Sequence, residues 1–587
     1  MLVAAPSLAT LFAEPHHDGS DLYVMERPDG PRGTAVVRVR VPRGTAVEGV
    51  ALRRVKDGEA RVLPATIDAE TETDTWWRAS FDVSGPLTRY RWLLTGGDFG
   101  YAWLNGMGLV PYDPPDSDDF VLSLDPGGPD WHLRSVVYEI YPDRFARGGV
   151  AAEPPEWAVP REWDELPTGR GRLSSREWFG GDLPGIEQHL DHVQSLGANV
   201  LYLTPFFPAG STHRYDATSF DRVDPLLGGD EALASLIRAA HGRGLRILGD
   251  LTLNHTGVGH EWFTAGRSDL YYFDDGLPHG YEAWLGIPSL PKLNWASPEL
   301  RRRMRAVVRR WLDAGLDGWR IDVANMVGRL GPVDLAAEAA RLVRAELADD
   351  QVVVAEHFHD FRDDLDGTGW HGVMNYAGFL KPVWSWLRSD GAPDLELHVP
   401  LSRLDGLLAA TTMRAFRAGV PWQGTLHSWV LLDSHDTARF RTVAGSRERQ
   451  LVGVGLQMTT PGVPMVYAGD ELGLEGRWGE DGRRPMPWSH SEDWDPGLLE
   501  GYRALIALRR ASPALARGGI RYASVGADVL CYLRETEDER LLCLAARARH
   551  EPVRVPFRSL ETLHGEDAED GVLPADGPAF HVWRIHG

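Results

Sequence analysis

Four groups of side chains stand where chemistry can be done, each at or just after a short apolar run. Asp250, Asn254 and His255 lie in "LRILGDLTLNH", and Arg320 and Asp322 in "GWRIDV". Glu356, His357 and His359 lie in "VVVAEHFHD", and His435 and Asp436 in "SWVLLDSHD". Two chemistries fit. The His357-x-His359 spacing is half of a metal site. The carboxylates instead make an acid and a nucleophile. In a strand, Arg320 and Asp322 are two residues apart and point the same way, with Trp319 and Ile321 on the other face. The guanidinium should hold Asp322 ionised, as a nucleophile requires. Glu356 follows four apolar residues, and desolvation near other carboxylates should raise its pKa, as a proton donor requires. Two such carboxyls about 5–5.5 Å apart are the machinery of a retaining glycosidase.

These residues form one site only if the fold gathers the ends of their runs. Eight runs recur: "VVYEIYP", "NVLYLTP", "LRILGDLTLNH", "GWRIDV", "VVVAEHFH", "GVMNY", "SWVLLDSHD" and "VPMVYAGDE". Amphipathic stretches lie between them, such as "GDEALASLIRAAHGRG" and "SPELRRRMRAVVRRWLDAG"; the second starts on a cap with Pro at the first helical position. Eight strand–helix units predict an α/β fold, a (β/α)8 TIM barrel whose strand ends converge on one mouth. A doubly wound sheet would have to be very large, and no Gly-rich phosphate loop follows the first run. A lone polar residue at a run end is ordinarily a helix cap or loop hydrogen bond; a shared mouth weakens that explanation.

The barrel is expected over residues 126–508, with a long insertion at about 257–298 after the third strand, where barrels carry substrate contacts. Residues 1–125 alternate, as in "TAVVRVRVP" and "TRYRWLLTG", and predict an N-terminal β-sandwich domain. Residues 509–587 predict a C-terminal β-sandwich domain of antiparallel strands.

The net charge of -23 argues against nucleic acid and against anionic membrane surfaces, and a neutral substrate is indifferent to it. No run is long enough to span a bilayer. The start, "MLVAAPSLATLFAEPHHDG", lacks a basic n-region, so no signal peptide is expected and a cytoplasmic location is. Cys531 and Cys543 lie in a hairpin that, folded about Glu537, sets the thiols nearly opposite; a reduced buried pair is expected over a disulfide. The 22 Trp fit either a rich core or a lined cleft.

"DLTLNH", "GWRIDVANM", "AEHFH" and "LLDSHD" resemble, in order and spacing, the four main motifs of the α-amylase family of glycoside hydrolases. "LPKLN" and "GVPMVYAGDE" resemble two auxiliary motifs, and the likeness runs from about residue 130 to the C-terminus. With "DVAN" and a β-rich N-terminal domain, the chain looks most like the neopullulanase, cyclomaltodextrinase and maltogenic amylase group. The resemblance implies Asp322 as nucleophile, Glu356 as general acid/base and Asp436 as the third carboxylate. It implies that His255 and His435 grip the glucose in the cleaved subsite, that Asp250 and Arg320 support that shell, and that Tyr215 in "HRYD" is the platform beneath it. The implied substrates are short linear, branched or cyclic malto-oligosaccharides, cut at α-1,4 and also α-1,6 bonds, with transglycosylation beside hydrolysis. Alternatives are a specialised hydrolase of small cyclic or mixed-linkage gluco-oligosaccharides and an exo-acting α-glucosidase. The resemblance also implies a homodimer.

The chain departs from its relatives in several places. After the first run, "DRFARGGVAAEPPEW" lacks the carboxylates of their calcium loop, so no cofactor is expected there, and Asn254 is left as a candidate cation ligand. Met326 replaces a polar residue near the leaving-group side, and His357-Phe358 stands where an apolar residue and Trp are usual. Phe206 and Phe207, with Trp157, Trp163 and Trp178 of the first loop, either wall the cleft or pack the loop. An amidohydrolase-type metal barrel would need its His-x-His after the first strand and more His elsewhere. A non-catalytic relative would have lost catalytic carboxylates, and all three stand.

Overall fold

The computed structural model describes residues 14–96, 100–150, 152–171, 173–392, 401–557 and 559–586. The apolar start of the chain, residues 1–13, lies outside them. All eight runs form strands that close into a parallel barrel. They are β1 (Val137–Ile140), β2 (Val200–Leu203), β3 (Arg246–Thr252), β4 (Gly318–Asp322), β5 (Val352–His357), β6 (Gly372–Asn375), β7 (Trp429–Leu431) and β8 (Val463–Tyr467). Because helices cover the outside and side chains fill the inside, nearly every strand residue is buried, which is why the runs are so uniformly apolar.

Register decides what reaches the mouth. β3 and β4 pair Asp250 with Arg320 and Thr252 with Asp322; β5 and β6 pair Glu356 with Met374. Trp319 faces outward as expected, its indole N–H donating to Val308 O at 3.4 Å on the helix Pro298–Asp313. Ser297 caps that helix through Leu300 N–H, and Leu300, Met304, Val308 and Trp311 form its buried stripe. Gly318 is required where β4 meets β5, since a Cβ there would lie 2.0 Å from Val352 O.

Phe206 and Phe207 correct an expectation. Both are wholly buried. Phe206 packs on Trp311 and Trp319, with ring centroids 5.5 and 6.4 Å apart, and Phe207 on Phe220 at 5.4 Å. They belong to the layer between barrel and helices, not to a cleft wall. In the first loop, Val159–Pro160 pairs with Glu177–Trp178, and the Trp163 indole donates to Met486 O at 2.9 Å.

Before the barrel, a four-stranded and a six-stranded antiparallel sheet share a core around Val37, Leu52, Trp92 and Leu122. After it comes a five-stranded antiparallel sheet. One face of it (Leu541, Cys543, Phe580) joins the barrel core, and Val553, Val555 and Leu573 cover the other, so a segment outside the named strands stands where the sequence suggests a second sheet. Cys531 pairs with Leu544 and Cys543 with Tyr532. That single step of register puts the thiols on opposite faces. Both are buried and free.

Candidate active site

Arg320 is the hub of the barrel mouth. Its Nη1 donates to both oxygens of Asp250 at 3.0 Å and to Asp322 Oδ1 at 3.0 Å, while Nη2 lies 2.9 Å from Glu356 Oε1. One planar cation therefore fixes carboxyls from three successive strands. Glu356 Oε2 accepts the Val323 N–H at 2.7 Å. Asp322 Oδ2 is buried with no hydrogen-bond partner among the described residues.

Burial pushes Asp322 well above the usual carboxylate range, and nearby Glu356 adds to this against the pull of Arg320. Burial also raises Glu356, opposed by Arg320 and the Val323 N–H and helped by Asp436. Arg320 favours the ionised form of Asp322, as expected from their spacing, while burial and Glu356 oppose it. Desolvation and the neighbouring carboxyl act against one cation shared three ways.

Asp436 lies open to the cleft. Against the desolvation of the surrounding mouth, His435 and Arg483 hold its carboxyl below the ordinary range. Arg483 Nη2 donates to Asp436 Oδ1 at 3.0 Å. His435 Nδ1 faces the buried Glu139 carboxylate, and Nε2 lies 2.7 Å from Tyr215 Oη and 3.2 Å from Asp436 Oδ2. Tyr215 and Tyr202 each donate to Asp250 Oδ2, at 2.8 and 2.7 Å. Both ring nitrogens of His435 therefore face acceptors and donate, which makes the ring an imidazolium. Burial would lower its pKa, but Asp436 and Glu139 raise it above the ordinary value. The Tyr215 ring stacks on that imidazolium at 5.6 Å and on His213 at 5.9 Å.

His255 is the opposite case. Burial, helped by Lys292, lowers it to about 3. Its Nδ1 lies 3.1 Å from the Asn254 amide nitrogen, and its Nε2 is buried with no partner among the described residues. A neutral ring accepting at Nδ1 carries its proton on Nε2, a donor awaiting an acceptor. Trp284 of the insertion stacks on this ring at 5.3 Å.

The residues fit a cation poorly. Asn254 Oδ1 is taken by the Lys292 ammonium, which also donates to Met326 O at 3.0 Å. In the first loop the Asp182 carboxylate accepts the N–H groups of Gly148, Val150 and Gly185. Among the described residues no group of three or more His, Cys, Asp or Glu is arranged to hold a metal ion. The His-x-His pair dissolves as well. His357 Nε2 lies 3.0 Å from Asp364 Oδ2 and its Nδ1 accepts the His359 N–H, while His359 is exposed. Phe358, half-buried, stacks on Tyr376 at 3.8 Å and 15°. Met326 is half-buried beside the site.

A family model described as "Alpha amylase, catalytic domain" matches residues 139–496. The chain belongs to the α-amylase family of glycoside hydrolases. Neopullulanase 2 of Thermoactinomyces vulgaris is 34% identical over 498 residues, 79% of each chain. A cyclomaltodextrinase of a Bacillus species is 30% identical over 513 residues, 83% of this chain and 86% of that one. A solved structure, the cyclic α-maltosyl-(1→6)-maltose hydrolase of Arthrobacter globiformis, is 33% identical with TM-score 0.64, covering 73% of this chain and 93% of that one. As an α-amylase-family member, the protein is a glycoside hydrolase on a closed eight-stranded barrel. Among the described residues no helix is long and apolar enough to cross a membrane.

Glu139, His213, Trp284, Lys292, Val323 and Arg483 also reach the site and are not anticipated from the sequence. Glu139 had a signal, a lone acid inside the apolar run "VVYEIYP". Arg483, in the loop after β8, had none, because only the fold brings it to Asp436.

Proposed function

We propose that the protein hydrolyses α-1,4-glucosidic bonds, and α-1,6 bonds secondarily, in short linear, branched or cyclic malto-oligosaccharides, with retention through a covalent glycosyl–Asp322 intermediate. The carrying observation is the pair Asp322 and Glu356 on one guanidinium, with Asp322 Oδ2 unpartnered among the described residues. Glu356, raised by burial, carries the proton and donates it in a hydrogen bond to the glycosidic oxygen beside it, while Asp322 reacts in its ionised form. Asp322 Oδ2 then bonds to the anomeric carbon as the glycosidic bond breaks and Glu356 protonates the departing oxygen. Glu356, now ionised, takes a proton from water, whose oxygen attacks the same carbon and frees Asp322. Asp436 binds hydroxyls and favours the oxocarbenium-like transition state. His255 donates to the same sugar through Nε2, His435 grips it through Tyr215 and Asp436, Tyr215 lies beneath it, and Asp250 holds Arg320 and Tyr215 in place. Phe358 and Met326 set acceptor choice, and with it the balance of hydrolysis and transglycosylation. We read the enzyme as a cytoplasmic homodimer, which light scattering of the pure protein tests.

A second reading is favoured by the 33% identity to the Arthrobacter globiformis enzyme, whose name states a small mixed-linkage ring as substrate. Product analysis on malto-oligosaccharides, cyclodextrins, pullulan, panose and cyclic maltosyl-maltose separates the two. NMR of the first product is expected to show the α-anomer; a β-anomer would refute the double displacement.

A further inference from the structure

The sequence leaves His357 unexplained, at the place where relatives carry an apolar residue. It lies in a closed ring of contacts that begins and ends at Glu356. His357 follows Glu356 directly at the end of β5, and its Nδ1 accepts the His359 N–H at 3.3 Å, so its proton is on Nε2 and points to Asp364 Oδ2 at 3.0 Å. Arg329 grips the same carboxylate with both arms, Nη2 to Oδ1 at 2.7 Å and Nη1 to Oδ2 at 3.0 Å. Its Nη1 also donates to Asn325 O at 2.9 Å, and its Nε to Asp334 at 3.0 Å. Asn325 is the middle residue of the turn Ala324–Met326, whose Met326 N–H returns to Val323 O at 2.9 Å. Val323 closes the ring by donating its N–H to Glu356 Oε2.

Val323 is held at φ 44°, ψ 41°. A β-branched residue seldom takes this left-handed conformation, and it persists only where the surroundings impose it. Here they include two cations on successive carbonyls, Arg329 on Asn325 and Lys292 on Met326. Burial would raise the Asp364 carboxyl, but hydrogen bonds from His357 and Arg329 bring it to about 2, so the brace stays charged.

We infer that His357, Asp364 and Arg329 are positioning residues that force the turn after Asp322 into the conformation in which the Val323 N–H holds the general acid. This rests on Glu356 being the acid/base. The test compares Asp364→Asn, His357→Gln and Val323→Gly on the malto-oligosaccharide that the wild type cleaves fastest. Asp364→Asn should lower kcat about tenfold with KM within about twofold. It should also move the basic limb of the kcat profile up by about one pH unit, because the lost N–H favoured the ionised carboxylate. His357→Gln keeps a donor and should retain most activity. Glycine adopts the left-handed turn unaided, so in a Val323→Gly background Asp364→Asn should cost under about twofold. An unmoved basic limb, or the same loss in both backgrounds, overturns the brace. Full activity in Glu356→Gln would instead overturn the role of Glu356 itself, so the two failures are distinguishable.

Discussion

Asp322→Asn and Glu356→Gln should both abolish turnover of a natural glucan, yet differ in stability and in substrate rescue. Among the described residues Asp322 uses only Oδ1, on Arg320, and its Oδ2 has no partner. An asparagine can keep the Arg320 contact through its oxygen and turn its amide into the cleft, so no contact is lost and a desolvated acid is removed. Glu356 uses both oxygens, one at Arg320 and one at the Val323 N–H. Glutamine has one acceptor for two donors, and the buried mismatch costs about 1–3 kcal/mol. On a domain of this size that is a fall of about 1–5 °C in unfolding temperature. Because folding raises both carboxyls, the native state binds more protons than the unfolded chain above the ordinary carboxylate pKa. Stability therefore falls as pH rises through that window, and Asp322→Asn should flatten the slope. Calorimetry from about pH 5 to pH 8 reads both effects. General-acid assistance is worth about 10²–10⁴-fold, so Glu356→Gln should lose that factor on a glucan and little of it on the first step with an α-glycosyl fluoride, whose leaving group needs no proton. Asp322→Asn should fail on both. A Glu356→Gln variant equally inactive on the fluoride, or an Asp322→Asn variant less stable than Glu356→Gln, would refute this assignment of the pair.

Glu139→Gln keeps an acceptor for His435 but removes its charge. The imidazolium should fade at a pH lower by about 1–2 units, read by NMR of the ring and by the basic limb of kcat/KM. Phe206→Ala should destabilise the barrel by about 3–5 kcal/mol and lower activity on every substrate alike, whereas Phe358→Ala should change the ratio of rates across the oligosaccharide panel at little cost in stability. EDTA should leave activity intact, since Lys292 occupies Asn254; loss restored by calcium would contradict that. A cationic sugar mimic should bind about 10²-fold or more tighter than its neutral isostere in calorimetric titration, and equal binding would count against a mouth built for positive charge.

The barrel was legible because strands buried on two faces are near-continuous apolar runs, and the polar residues ending them stand out. Asp322, Glu356, His435 and Asp436 meet at one mouth for that reason. What escaped depends on distance along the chain. The spacing of Arg320 and Asp322 reveals their pair, but not that Asp250 and Glu356 draw on the same guanidinium and so compete with Asp322 for it. "TPFFP" sits at a strand end, where side chains often face ligand, yet Trp311 and Trp319 offer Phe206 an apolar slot below the mouth. The two cysteines differ from an opposed pair by one register step, which a hairpin tip cannot fix from sequence.

The charges of the mouth also explain why a neutral substrate can be indifferent to them while its transition state is not. Five carboxyls converge there, Glu139, Asp250, Asp322, Glu356 and Asp436, against three cations, Arg320, His435 and Arg483. Even with Glu356 protonated as the acid, the local balance is negative. An uncharged sugar meets this field only through its hydroxyl dipoles. Positive charge develops at the anomeric carbon only as the glycosidic bond breaks, so the interaction strengthens in the transition state and raises kcat rather than merely tightening binding. The same balance makes the empty site costly. Burial raises the very carboxyls that must ionise, and the fold offsets this by spreading Arg320 across three of them, not by giving each its own cation. Asp322→Asn would relieve that cost and end catalysis together, so stability lost to function at this mouth becomes a measurable difference between two proteins one atom apart.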